Sequence, residues 1–145
     1  MKRPITVGSF EVVSFPDLGL EDLVAKVDTG AYSGALHCSE IKVIRQGLKR
    51  EKVLRFKPHD KPDFHHTKQF TERHVRSASG HRKKRYIIDT SITLQGVSYP
   101  ISIGLSNRST MKRPVLIGRK FLRENNLLVD VSLNTEYDEE GVLYP

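Results

Sequence analysis

Four consecutive residues, Asp28-Thr29-Gly30-Ala31, carry the most evident chemistry in this sequence. The apolar run Leu23–Val27 precedes them, so a carboxylate arrives at the end of a buried strand. Gly30 has no Cβ, which lets the backbone turn sharply and approach a neighbour closely. Thr29 brings a hydroxyl that can tie this turn to an adjoining one. Two carboxylates held side by side cannot both ionise, so they share a proton. One then takes a proton from water while the other protonates the carbonyl oxygen or the leaving nitrogen. Asp28 is one such carboxylate, and Asp28, Thr29 and Gly30 are the catalytic candidates. Asp89-Thr90 is followed by Ser91 and lacks the glycine turn, so the chain supplies only half of a pair.

Other chemistries find less support. There is no Gly-x-x-x-x-Gly-Lys-Ser/Thr loop for nucleotide phosphates and no His-Glu-x-x-His for zinc. The one histidine cluster is His59, Asp60, Asp63, His65 and His66. Adjacent histidines on a strand point to opposite faces, a poor start for one coordination shell. His37 follows Ala35-Leu36 and reads as a core or hydrogen-bonding histidine. Cys38 is the single cysteine, which rules out an intrachain disulfide and a Cys-built zinc site. No metal and no cofactor is expected.

The elements that must position Asp28 are mostly strands. Val7–Phe15 stops at the turn Pro16-Asp17-Leu18-Gly19. Leu36–Ile44 and Lys52–Phe56 make a pair joined through Gln46-Gly47, and Tyr86–Leu94 with Val97–Leu105 flank Gln95-Gly96, the best hairpin signal present. Val115–Ile117 is a short buried strand, 118–125 a short helix, and Leu127–Leu133 a last strand. Lys57–Phe70 reads as a long loop with little regular structure, and the tail from Asn134 is acidic, frayed or surface-packed. Many short strands with one helix near the C-terminus predict a mainly β, closed or partly closed barrel. The length of 145 residues fits a single domain, 1–145, with the loop at 57–70 and the tail at 134–145.

A second motif joins the first. Val115-Leu116-Ile117-Gly118-Arg119 ends an apolar strand in glycine, and Gly118 lies 87 positions beyond Ala31. With Lys26–Ala31, Ala35–His37, Ser79–His81 with Arg85, Gly96, Ile101, Leu105, Asn107-Arg108, Met111 and Leu116–Arg119, the chain resembles a retropepsin-like aspartic protease family. Its members carry the label ATP-dependent zinc protease, and some are encoded beside ATP-grasp ligases that add glutamates to proteins. The resemblance runs from about Phe10 to Asp130 in matching order.

It implies a single pepsin-like (retropepsin) lobe, with the apolar-apolar-Gly strand threading beside the catalytic loop. It also implies an aspartic endopeptidase acting on acidic or glutamylated protein tails. Substrate-binding roles fall to Ala31, Ile117 and Gly118 beside the loop, and to Ser79 and Gly80 at the tip of a mobile hairpin formed by 77–81. One departure is visible: viral retropepsins have an acidic partner for the arginine of Gly-Arg, whereas Tyr32 and Ser33 stand here, leaving the role of Arg119 open.

With one Asp-Thr-Gly per chain, the endopeptidase reading requires a symmetric homodimer that brings two copies of Asp28 together. Composition bounds the partners. Lys and Arg number 24 against 17 Asp and Glu, a net charge of +7. That balance favours acidic peptides, nucleic acid or a ribosomal surface. A non-catalytic β-barrel module binding acidic peptides or ribosomal components is therefore the alternative reading, and a metal-dependent hydrolase the third. No apolar run approaches the ~20 residues of a membrane helix. Gly8, Ser9 and Glu11 interrupt any signal-peptide core, so the expected location is cytoplasmic.

Overall fold

The structure is a computed structural model and describes residues 4–76, 80, 82–107 and 112–138. Eleven strands run in chain order with one α-helix among the described residues. They are β1 (Thr6–Val7), β2 (Phe10–Phe15), β3 (Leu20–Val27), β4 (Ala35–Gln46), β5 (Glu51–Pro58), β6 (His65–Thr67), β7 (Phe70–Arg76), β8 (Arg82–Leu94), β9 (Val97–Ser106), β10 (Val115–Ile117) and β11 (Leu128–Val129). Helix α1 spans Arg119–Glu124.

Six strands close a mixed barrel in the order β10-β3-β2-β8-β9-β4, with β4 returning to β10. Closure rests on β10, three residues long, which is parallel to β3 on one side and antiparallel to β4 on the other. The interior is filled by alternate residues of these strands, among them Phe15, Leu20, Leu36, Ile92, Ile103 and Ile117, each at most 2% exposed. Side chains of this size stabilise by roughly 1.5–3 kcal/mol each when fully buried. The expected mainly β barrel with one short helix near the C-terminus is the observed architecture.

Two long strands carry structure beyond the barrel. β4 pairs with β9 and β10 as far as His37, then changes partner at Cys38 to β5. β8 pairs with β9 only from Ile87 onward, so Arg82 to Tyr86 pair with β7 and form a two-stranded arm. The β8–β9 hairpin turns at Gln95-Gly96, both with positive φ, as a two-residue primed turn demands.

Three expectations require correction. Val7–Phe15 is not one strand but two. At Gly8 the chain lies against the turn after β11, where an added Cβ would sit 2.6 Å from the Leu133 carbonyl oxygen. Leu127–Leu133 is a strand only at Leu128–Val129, because the Asp130 carboxylate accepts hydrogen bonds from the Ser132 amide (2.9 Å) and hydroxyl (2.6 Å) and turns the chain. Those bonds also pull the Asp130 carboxyl below its usual range.

The third correction concerns 57–70, which is not a loop of little regular structure. β5 continues to Pro58, and β6 pairs back onto it through Leu54, Arg55 and Phe56. Phe64, with the Arg55 guanidinium 4.3 Å from its ring centroid, anchors the connection. The tail packs on the surface as far as Asp138, with the Asn134 side-chain amide donating to the Phe10 carbonyl oxygen at 2.7 Å.

Candidate active site

Asp28 follows directly on β3, whose last residue, Val27, pairs with Ile117 of β10. The ladder extends one residue further, with the Asp28 amide donating to the Ile117 carbonyl oxygen at 2.9 Å. From there the chain folds tightly, and the Ala31 amide reaches the Asp28 carbonyl oxygen at 3.2 Å. The Gly30 amide donates to Asp28 Oδ1 at 3.0 Å, which fixes the carboxylate against its own turn. Among the described residues Oδ2 accepts no hydrogen bond, and Asp28 is only half-buried, which leaves this oxygen able to engage a second carboxyl or a water.

The loop is gripped from behind by the start of α1. The amides of Arg119 and Lys120 donate to the carbonyl oxygens of Ala31 (2.8 Å) and Tyr32 (3.0 Å). The Arg119 guanidinium donates to the carbonyl oxygens of Gly30 (3.0 Å) and Thr29 (3.4 Å) and sits 5.4 Å from the Tyr32 ring centroid. That settles what Arg119 does. With Tyr32 where an acidic partner would stand, it faces an aromatic ring and the loop carbonyls instead. The signal was present in the sequence as Tyr32 paired with Gly118-Arg119, but their contact follows only from the fold. Replacing Arg119 with Ala is expected to cost about 1–2 kcal/mol in denaturant unfolding, with Arg119→Lys recovering only part because an ammonium lacks the planar fork.

Space, not backbone strain, makes Gly118 glycine. A Cβ there would fall on the Tyr32 carbonyl oxygen and 2.6 Å from the Gly34 nitrogen. Gly34 is the reciprocal case, with φ +71° and the Leu116 carbonyl oxygen 2.5 Å from where its Cβ would be. The structure thus brings Asp28, Thr29, Gly30, Ala31, Ile117 and Gly118 together at one end of the barrel. A cleft of about 370 Å³ opens beside the loop, with Ala31, Ser33, Leu116, Gly104 and Arg85 in its walls. Ser79 lies outside the described residues. Gly80 is described, exposed, with φ +84°, between the ends of β7 and β8.

The histidines sit elsewhere. His37 Nδ1 lies 3.0 Å from His59 Nδ1, with the rings edge to face, and His59 Nε2 lies 3.1 Å from Asp60. His65 is half-buried against Phe56 while His66 is exposed, as alternation along β6 requires. Among the described residues no three of His, Cys, Asp and Glu converge to hold a metal ion. Burial, then the neighbouring His59, lower the His37 pKa, against a smaller opposing pull from Asp60. Burial, then His66, lower His65 likewise.

A depressed histidine pKa means the folded state binds its proton less readily than the unfolded chain. Its contribution is therefore complete above the ordinary value near 6.5 and is lost as pH falls below it. Denaturant midpoints should drop between about pH 7 and pH 5. The drop should be shallower in His37→Gln, and an unchanged slope would show that His37 is not the group responsible.

Comparison with known proteins places this geometry. A family model described as "RimB-like: Retropepsin-like aspartic endopeptidase RimB" matches residues 6–140. Curated relatives named "Probable alpha-L-glutamate ligase" are 30% identical over 143 residues in Shewanella pealeana and 33% over 136 in Parasynechococcus marenigrum. These alignments cover 94% and 90% of this chain but only 31% and 28% of the relatives, so the chain spans about a third of their length. A solved Legionella pneumophila protein of unknown function superposes with a TM-score of 0.68 at 29% identity, covering 90% of this chain and 96% of that one. With a family model matched across nearly its whole length, this chain belongs to the RimB-like family of retropepsin-like aspartic endopeptidases.

Proposed function

We propose that this chain hydrolyses peptide bonds as a homodimer in which two copies of Asp28 meet across a two-fold axis. The observation that carries the proposal is the half-buried Asp28 carboxylate, whose Oδ1 is pinned by the Gly30 amide while Oδ2 accepts no hydrogen bond among the described residues. An identical group beside it would complete a pair that holds a single proton. The ionised member removes a proton from water as the water oxygen attacks the carbonyl carbon. The protonated member gives its proton to the carbonyl oxygen. As the carbon–nitrogen bond breaks, the protonated member gives its proton to the leaving nitrogen while the ionised member takes one from a hydroxyl of the tetrahedral intermediate, so the dyad again holds a single proton.

Acidic or glutamylated protein tails are the substrate class this reading favours. Two features support it: the net charge of +7, and the likeness to part of proteins named for joining glutamate. The test is digestion of a proteome-derived peptide library, read by mass spectrometry, alongside sedimentation in the same buffer. Cleavage by a species that remains strictly monomeric would overturn the shared dyad. No cleavage of any peptide at any pH from 4 to 8 would overturn the endopeptidase.

The exposed run Arg82-Lys83-Lys84 on β8 favours one second reading, a module that binds acidic peptides or ribosomal components without cutting them. Binding that persists without Asp28 but collapses on charge reversal at these three residues, or in raised salt, would support it.

A further inference from the structure

The β7–β8 arm sets two arginines directly opposite each other, Arg73 against Arg85. Like charges at facing positions of an antiparallel pair repel, so this placement costs stability unless an anion lies between them. Residues facing one another across strands share a face, and here that face looks toward the catalytic loop. Arg85 lines the cleft of about 370 Å³ that contains Tyr32 and Ser33, and Arg73 lines an adjoining one of about 200 Å³ that contains the same two residues. Both therefore stand over the segment that begins immediately after Ala31.

The nearby internal carboxylates form no ion pair with either arginine. Glu72 pairs with Lys84 at 3.4 Å, and both are one residue removed from the arginines, hence on the opposite face of the arm. Asp89, which shares the smaller cleft, accepts a hydrogen bond from the Ser102 hydroxyl at 2.5 Å. Lys120, in the same cleft, pairs with Glu124 at 3.7 Å. Among the described residues neither Arg73 nor Arg85 has an ion-pair partner. Arg85 is half-buried, its stem lying over the backbone of Gly104, where an added Cβ would be 3.6 Å from Cδ. The stem thus packs at ordinary contact distance over this strand, with Arg85 in the cleft wall.

We propose that Arg73 and Arg85 together form a subsite that reads a carboxylate on a substrate side chain, next to the bond presented to Asp28. This rests on the endopeptidase reading and adds the residues that select the peptide. Guanidinium groups suit the task because their forked donors match both oxygens of a carboxylate, and half-buried Arg85 is screened less than exposed Arg73.

The experiment uses fluorogenic peptides in which one Glu is walked through four positions on either side of the cleaved bond, each with Gln and Lys counterparts. At one position the wild-type protein should favour Glu over Gln by about tenfold in kcat/KM. Arg85→Gln and Arg73→Gln should each shrink that ratio, and the double variant should bring it near one. Arg85→Glu should turn the preference toward Lys. A double variant that keeps the wild-type ratio overturns the subsite.

If the wild type cuts none of these peptides, the endopeptidase reading fails, and binding still decides the subsite. Fluorescein-labelled hexaglutamate, followed by anisotropy, should bind the double variant about tenfold more weakly than the wild type. Equal affinity would overturn the arginine pair.

Discussion

Asp28→Asn is expected to reduce peptide cleavage by about four orders of magnitude or more, because one substitution removes both carboxylates of a shared pair. The folded protein should barely register the change. Asparagine keeps the shape of aspartate, and its carbonyl oxygen can still accept the Gly30 amide that Asp28 Oδ1 accepts at 3.0 Å. Unfolding midpoints and circular dichroism should therefore stay at wild-type values. A mixing experiment sharpens the result. Equal amounts of wild type and variant, exchanged to equilibrium, leave roughly one quarter of dimers with two aspartates. Activity should then fall to about that fraction of an undiluted wild-type sample of the same total concentration, whereas a site complete within one chain would leave about half. Activity of one half would sink the shared dyad while leaving Asp28 catalytic.

The second large effect is on stability. Gly118→Ala should destabilise the protein by about 3 kcal/mol, at the upper end of overpacking penalties. The added methyl group meets the Tyr32 carbonyl oxygen and the Gly34 nitrogen, and both belong to backbone that cannot rotate away. These atoms sit where β10 hands over to α1, so relief would require the catalytic loop to move off Arg119. Gly30→Ala is the informative contrast. There the nearest atom is Asp28 Oδ1 at 3.1 Å, the end of a side chain, and the position is exposed. Its denaturation midpoint should lie within about 1 kcal/mol of wild type, while any cleavage activity drops because the carboxylate is displaced. Equal midpoints for Gly118→Ala and wild type would show that the loop can yield without cost.

These contacts also mark what was legible beforehand. Local signals carried far: the apolar run through Val27 delivers Asp28, and Gln95-Gly96 turns the hairpin where it should. Gly118 ends β10 and α1 begins at Arg119, as the pattern suggests. What failed was governed by particular side-chain and strand-edge contacts that the pattern of apolar and turn residues does not display. Periodicity in 127–133 looks like a strand, yet Asp130 bends it through its own side chain. Histidines and prolines in 57–70 resemble a loop, but β5 offers an open edge on which β6 can pair. The roles of Arg119, Arg73 and Arg85 each depend on which surface ends up facing Tyr32, and no local pattern encodes that. One chain's sequence carries a single Asp-Thr-Gly, so on the proposed reading it spells out only half of the site.

The three residues of β10 have a further consequence, for synthesis. They meet Ala25, Lys26 and Val27 across most of the chain, and they supply the carbonyl that holds the Asp28 amide. A nascent chain that has emerged only as far as β9 has made Asp28 but has no partner for it, so the turn has nothing to lock against. Long-range pairing of this kind is also slow to form. The dyad proposed above would therefore form only once β10 has emerged and a second copy has been met.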